Sequence, residues 1–252
     1  MRGRGIYIIW LRWVKRYLRS KSRIVGSLGM PLFFLLLLGF GLNPSIQMAG
    51  VDKGYFGFVS PGIVAMSVLF VSMFAGIQVI WDKQFGFLKE TLVAPVSRVE
   101  IMIGQTLGGA TTSLLQGLLT LLIAFLLGGG LSFTLTGFFI ALVFMVLVGI
   151  SFTALGIAMA SKMDDMHGFQ LIMNFVIFPI FGLSGALFPI ENVPAAIRPL
   201  IYLDPMTYGV EGIRYGLLGV SDISPVTSFI FLTSFMLLTI ILGQHLFKNI
   251  KV

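Results

Sequence analysis

Charge is the scarcest thing in this sequence. Only 11% of its 252 residues are Asp, Glu, Lys or Arg, where a soluble domain carries about 25%. With 57% hydrophobic residues and a mean hydropathy of +0.99, the chain has more apolar surface than a water-soluble core could hide. It is read as an integral membrane protein. Cysteine is absent, which excludes a disulfide framework and a thiolate metal site and leaves the redox compartment unread. The two histidines, His167 and His245, have no carboxylates at ligand spacing, so no metal site is expected. No G-x-x-x-x-G-K-[ST] loop occurs, so the chain cannot cradle ATP phosphates itself. Neither a Ser-His-acid set nor a carboxylate pair can be assembled within the membrane, and no enzymatic activity or bound cofactor is expected of this chain.

The lack of charge also locates the spans. Apolar runs of about 20 residues mark transmembrane helices. The first runs from Ile24 to Leu42, with Pro31 early in it, and Asn43-Pro44 breaks it. A polar loop with Asp52 and Lys53 follows, then a second span from Phe58 to Ile80. From Ile101 to Ser161 there is no charged residue at all, and Gly128-Gly129-Gly130 divides that run into a third and a fourth span. Lys162, Asp164, Asp165 and His167 form the next loop. A fifth span covers Gly168 to Leu187 and a sixth Val226 to Phe247, which makes six. None holds an ionisable residue well inside, where each would cost ~2.5–3.5 kcal/mol on insertion scales. That argues strongly against proton coupling. It argues less strongly against sodium, which backbone carbonyls can bind. The driving energy must enter from elsewhere.

Most of the charge lies in three places. Residues 1–23 hold eight Arg and Lys and no acid. Ile6, Ile9, Trp10, Trp13, Val14 and Tyr17 follow the helical period, opposite Arg12, Lys15, Arg16, Arg19 and Arg23. That is the pattern of a helix lying in the headgroup interface, so the net charge of +7 is assigned to a membrane surface and not to nucleic acid. A cytoplasmic N-terminus puts 14 basic residues in inner segments and three outside (Lys53, Arg198, Arg214), while acids divide five and five. Lys and Arg alone set topology, so both termini are expected inside.

The second place is Trp81–Glu100, WDKQFGFLKETLVAPVSRVE, which holds six charges that cancel. As a helix it sets Phe85, Leu88 and Leu92 on one face; Pro95 ends it, and Ser97 can cap the next element. An ordinary solvated loop is one reading, and a short helix gripped by a soluble partner is the other. The third place is Phe188 to Pro225, with Pro189, Pro194, Pro199 and Pro205, then YGVEGIRYGLLG. It is either a folded outer loop with an i,i+3 ion pair, Glu211–Arg214, or a hairpin re-entering the outer leaflet, tolerated only where protein or water covers its backbone.

The Trp81–Glu100 run closely resembles the cytosolic signature of the ABC-2 family of ATP-binding-cassette transporter permeases, most of all the drug-exporter and nodulation-factor branch. Trp81, Asp82, Phe85, Gly86, Leu88, Glu90, Leu92, Pro95, Ser97 and Arg98 match that signature. The outer string FPIENVPAAIRPLIYLDPMTYGVEGIR is similar to the same family at Phe188, Pro189, Pro194, Asp204, Pro205, Thr207, Tyr208 and Arg214. Many members carry Asn in place of Asp204. The resemblance covers essentially the whole chain. It implies one all-α transmembrane domain over 1–252, with an interfacial helix at 1–23, a coupling helix at 82–98 and an outer re-entrant segment at 188–225. It further implies a plasma-membrane exporter subunit working as a pair of copies. Each copy would carry a separate ATPase that holds ATP and Mg and docks on Phe85, Gly86, Leu88, Lys89, Glu90, Leu92, Pro95 and Arg98.

Polar residues within the spans are few. Gln105, Thr112 and Gln116 share a stripe of the third helix, where Gly104 and Gly108 form a small-xxx-small pair. Gln170 and Asn174 sit at i, i+4 on the fifth. Helix packing is their expected role, with substrate contact as the alternative. The expected substrate is hydrophobic or amphipathic. A polysaccharide-lipid exporter of the same fold is the near rival, and a channel or membrane scaffold the distant one.

Overall fold

Apolar side chains on every face leave a helix nothing to turn toward water, and the second span is the extreme case. The computed structural model describes residues 2–41, 54–129, 131, 134–248 and 250. Within these residues six helical segments are long and apolar enough to cross a membrane, and the fold is all-helical. In order they are α2 (Lys21–Phe34) with its π-helical continuation Leu35–Phe40, α3 (Gly54–Phe74) with α4 (Ile77–Gln84), α6 (Arg98–Leu126), α7 (Leu135–Ala160), α8 (Met166–Leu183) and α11 (Pro225–Lys248). Asn43, Pro44, Asp52, Lys53 and Gly130 fall outside the described residues.

Helix α3 sits at the centre, with Tyr55 to Leu69 buried on all sides. It packs on α6, α7 and α10 (Pro205–Leu218). Val64, Leu69, Met73, Phe152 and Val148 carry the main core. At Ala75–Gly76 the second span breaks and resumes as α4. A Cβ on Gly76 would lie 2.3 Å from the Gly156 carbonyl oxygen, so the backbones of the second and fourth spans touch there. Helices α2, α8 and α11 lie on the outside and expose much of their apolar surface.

One expectation needs correction. The fifth span stops at Leu183, not Leu187, because Ser184 and Gly185 turn the chain into the 188–225 segment. The amphipathic helix α1 (Arg2–Arg19) runs lengthwise along α6. Ile6 and Ile9 meet Gly104, Trp13 meets Gly108, and Tyr17 reaches Gln116. A Cβ at Gly108 would sit 2.6 Å from that of Trp13, so the small-xxx-small pair receives α1 and not another span. Trp10 Nε1 donates to Thr111 Oγ1 at 2.9 Å on the same seam. The pairing holds from Gly104 to Gln116, or about 18 Å of helix. The aromatic face of α1 is thus buried on protein, while Tyr7, Ile8 and Leu18 remain exposed beside the arginines.

Candidate coupling site

Between the second and third spans the chain makes one compact excursion. Phe85 ends α4, and Gly86 takes a left-handed φ of 79° that most side chains would resist. Helix α5 then spans only Phe87–Val93. Ala94 is extended, as a residue before proline prefers, and Pro95 keeps the helix from continuing. Ser97 opens α6 with a capping box: its Oγ accepts from Glu100 N at 3.2 Å, and Glu100 Oε2 accepts from Ser97 N at 2.8 Å.

The break at Gly86 rearranges the face expected from the sequence. Phe85 and Leu88 belong to different helices. Leu88 is 1% exposed and packs into the helical bundle's own core, so it is not available to a partner. Phe85 (60%), Phe87 (52%) and Val93 (88%) are the exposed apolar side chains, and Lys89, Glu90 and Pro95 are exposed among them. The side chain of Leu92 lies outside the described residues. Trp81 lies against Phe85 with ring centroids 5.1 Å apart, which widens the apolar patch.

Three polar ties anchor this excursion. Asp82 is buried and accepts from Arg12 Nη2 at 2.5 Å and Gln78 Nε2 at 2.7 Å, which joins α4 to α1. Lys83 pairs with Asp164, and Gln84 Nε2 donates to the Asp164 carbonyl at 2.7 Å, which joins α4 to the loop before α8. Arg98 Nη1 donates to the carbonyls of Lys248 and Ile250 at 2.7 and 3.1 Å and so caps the end of α11. Arg98 therefore closes the bundle and does not project toward a partner.

The sequence profile described as the ABC-2 type transporter matches residues 4–218. The chain belongs to the ABC-2 type transporter family. An inner membrane transport permease, YadH of Escherichia coli K12, is 27% identical over 247 residues, covering 91% of each chain. Nodulation protein J of Rhizobium leguminosarum bv. viciae is 27% identical over 218 residues, or 83% of this chain and 82% of that one. A putative transport permease, ycf38 of Porphyra purpurea, is 28% identical over 201 residues, or 78% and 68%. The protein is a membrane permease subunit of an ABC transporter, and its own described residues contain no cluster of metal-ligating side chains.

In this permease the segment 188–225 is largely helical, with its last helix buried and the stretch before it mostly exposed. A 3-10 turn at Ile190–Asn192 leads to α9 (Arg198–Leu203) and α10. Pro189 and Pro194 flank that turn, and Pro205 occupies the first turn of α10, where its missing N–H costs nothing. The DPMTY string is a corner. Asp204 accepts from Met206 N at 2.9 Å, while Thr207 Oγ1 and Tyr208 OH donate back to the carbonyls of Ile201 and Tyr202, both at 2.8 Å. Asp204 is buried, and its Oδ2 has no partner. Gly209 of α10 abuts Val148, 13 residues into α7, so the corner reaches about 20 Å along the fourth span. Glu211 and Arg214 pair in full burial. Glu211 also accepts from Asp222 N and Ile223 N. Arg214 donates to the Gly185 carbonyl at 2.7 Å and lies 4.0 Å over the Phe58 ring.

The span polar residues divide. Gln116 Oε1 accepts from Tyr17 OH at 2.8 Å and Ser27 Oγ at 2.9 Å, a packing role. Burial pushes the Tyr17 phenol up, which keeps it a neutral donor. Thr112 donates to the Gly109 carbonyl, and Gln105 is buried with its Oε1 unpartnered. Gln170 is exposed on α8, with Asn174 half-buried one turn on, and both lie away from the buried face of Phe169, Met173 and Ile177. Sequence reasoning missed Phe87 and Val93; the left-handed glycine at 86 was the available signal.

Proposed function

We propose that this permease is the translocating half of an ATP-driven exporter in the plasma membrane, with both termini cytoplasmic. The observation that carries this reading is the patch of Phe85, Phe87 and Val93, exposed on a short helix between two spans that both run past membrane length. An apolar patch rimmed by charge is the surface a protein partner covers. A separate ATPase binds there, and its ATP-dependent closure moves α5. The motion passes through Asp82–Arg12 to α1 and the first span, and through Lys83–Asp164 to the fifth. Those two spans are loosely held on the outside of the bundle and are free to tilt. The substrate is a hydrophobic or amphipathic compound moved outward.

A second copy completes the pathway. Helix α8 presents Leu171, Phe175 (83% exposed) and Phe178 together with exposed Gln170. A glutamine amide on a lipid-facing stripe is costly, and a C2 partner would cover it. The test joins topology to assembly. Reporters after Val252 and within 82–100 are expected to read cytoplasm, and one within 191–198 the outside. Cysteines at Phe175 or Phe178, in a chain that has none, are expected to crosslink between copies. Termini on opposite faces, or an active complex that stays monomeric in its permease, would overturn the reading.

A further inference from the structure

A cavity of about 400 Å³ opens in the angle between α1 and α2, closed behind by α3 and α6. Its back wall is buried and mainly apolar, formed by Met66 with Ser67 and Thr112. Phe70, Val71 and Phe74 form one side, and Met30 stands exposed at the other. The rim carries three guanidinium groups, Arg12, Arg16 and Arg23, all exposed. A shallow groove next to it shares Arg12 and Arg16 and adds Lys15, Arg19 and Lys21, so the approach is cationic throughout.

Two buried donors beside the cavity have no acceptor. Trp13 lines it, and its Nε1 is unpartnered. Gln116 spends its Oε1 on Tyr17 and Ser27, and its Nε2 is left unpaired. A buried N–H without an acceptor is costly and calls for one. Among the described lining residues there is no carboxylate; Asp82, bonded to two of them, is already held by Arg12 and Gln78. Donors without acceptors, on apolar walls, suit an anionic head on a hydrocarbon body and repel a cation. The volume falls at the lower end of the roughly 300–1,000 Å³ of small-ligand sites. Met30 of the first span stands exposed at the mouth, and the arginines lie on the same rim.

We propose that this cavity loads an amphiphile with one anionic head and a single apolar body from the inner leaflet. The inward orientation and the direction of transport rest on the exporter reading above; the charge preference rests on the cavity alone. Trp13 supplies the readout. In Trp10→Phe/Trp81→Phe protein, held in nanodiscs of zwitterionic lipid, Trp13 is the one remaining tryptophan. Three probes share one chain: 11-bromoundecyl sulfate, 11-bromoundecanol and (11-bromoundecyl)trimethylammonium. Saturable quenching of Trp13 by the sulfate is expected, with the other two at least about tenfold weaker. Arg16→Gln/Arg23→Gln is expected to bring the sulfate down to the alcohol, and Ser67→Phe to remove saturable quenching by filling the back of the cavity. Equal or non-saturating quenching by all three probes would overturn the proposal. So would a sulfate response unchanged in the arginine double variant, which keeps the wall intact if Ser67→Phe fails to fold. With the ATPase bound, ATP is expected to release the sulfate. Hydrolysis without release would mean a resident lipid and would refute loading. Failure of the permease that retains Trp81 to recover any ATPase would instead remove the exporter reading and leave the binding result standing.

Discussion

Replacing Arg214 by Ala strikes the most densely tied side chain in the outer segment. The guanidinium pairs with Glu211, donates to the Gly185 carbonyl and covers the Phe58 ring. It thus joins α10, the turn after α8 and α3. Both partners of the pair are buried, so Arg214→Ala leaves a carboxylate out of water with only two backbone donors. Removing one member of a buried pair costs about 3–5 kcal/mol, and a desolvated cation–π contact adds on the order of 2. For a chain of this size each kcal/mol moves Tm by roughly 2–4 °C. The lower figures alone therefore predict a fall of about 6 °C or more, read by thermal denaturation in nanodiscs. Glu211→Gln/Arg214→Met, which removes both charges, is expected to lose less than Arg214→Ala alone. A wild-type Tm for Arg214→Ala would refute the idea that this pair pins the outer hairpin.

Asp204 is buried, and its Oδ2 has no partner. Asp204→Asn keeps the cap from Met206 N on Oδ1 and removes a buried carboxyl group, so Tm is expected to rise; thermal denaturation in nanodiscs checks this. Asp82→Asn weakens the tie between α1 and α4. Arg12 is 43% exposed at its side chain, so the stability loss is set at about 1 kcal/mol. ATP hydrolysis is expected to continue while transport falls, and the swap Arg12→Asp/Asp82→Arg to recover part of it.

Much of this was legible in sequence because membranes impose few solutions. Six apolar runs of about 20 residues could only be helices. Ser97 announced a cap for the next helix, and Glu211 and Arg214 an ion pair. What sequence could not give was the identity of a neighbour. An amphipathic period in α1 reports an apolar face, and lipid and protein satisfy it equally; only Gly104 and Gly108 tell which. The same ambiguity hid the inward turn of Leu88. Helical spacing from Phe85 to Leu92 assumed one continuous helix, and the left-handed Gly86 rotates everything after it. The cationic cavity was invisible for a similar reason. Its walls come from five helices spread between residues 12 and 112, and its arginines read only as a membrane-facing stripe.

The coupling role of α5 is the claim on which the functional account depends, and the direct measurement is recovery of the ATPase subunit with the affinity-purified permease. Phe85→Ala and Phe87→Ala each remove an exposed side chain whose full burial at an interface contributes roughly 1.5–3 kcal/mol, or about ten- to hundredfold in affinity. Glu90→Lys adds a like-charge clash to a lost pairing. The account predicts sharply reduced recovery and loss of substrate-stimulated hydrolysis for all three, at unchanged membrane insertion. Leu88→Ala is expected to lower Tm instead, as a core truncation does. Wild-type recovery and coupling in Phe85→Ala, Phe87→Ala and Glu90→Lys would contradict the account and leave α5 a solvated loop.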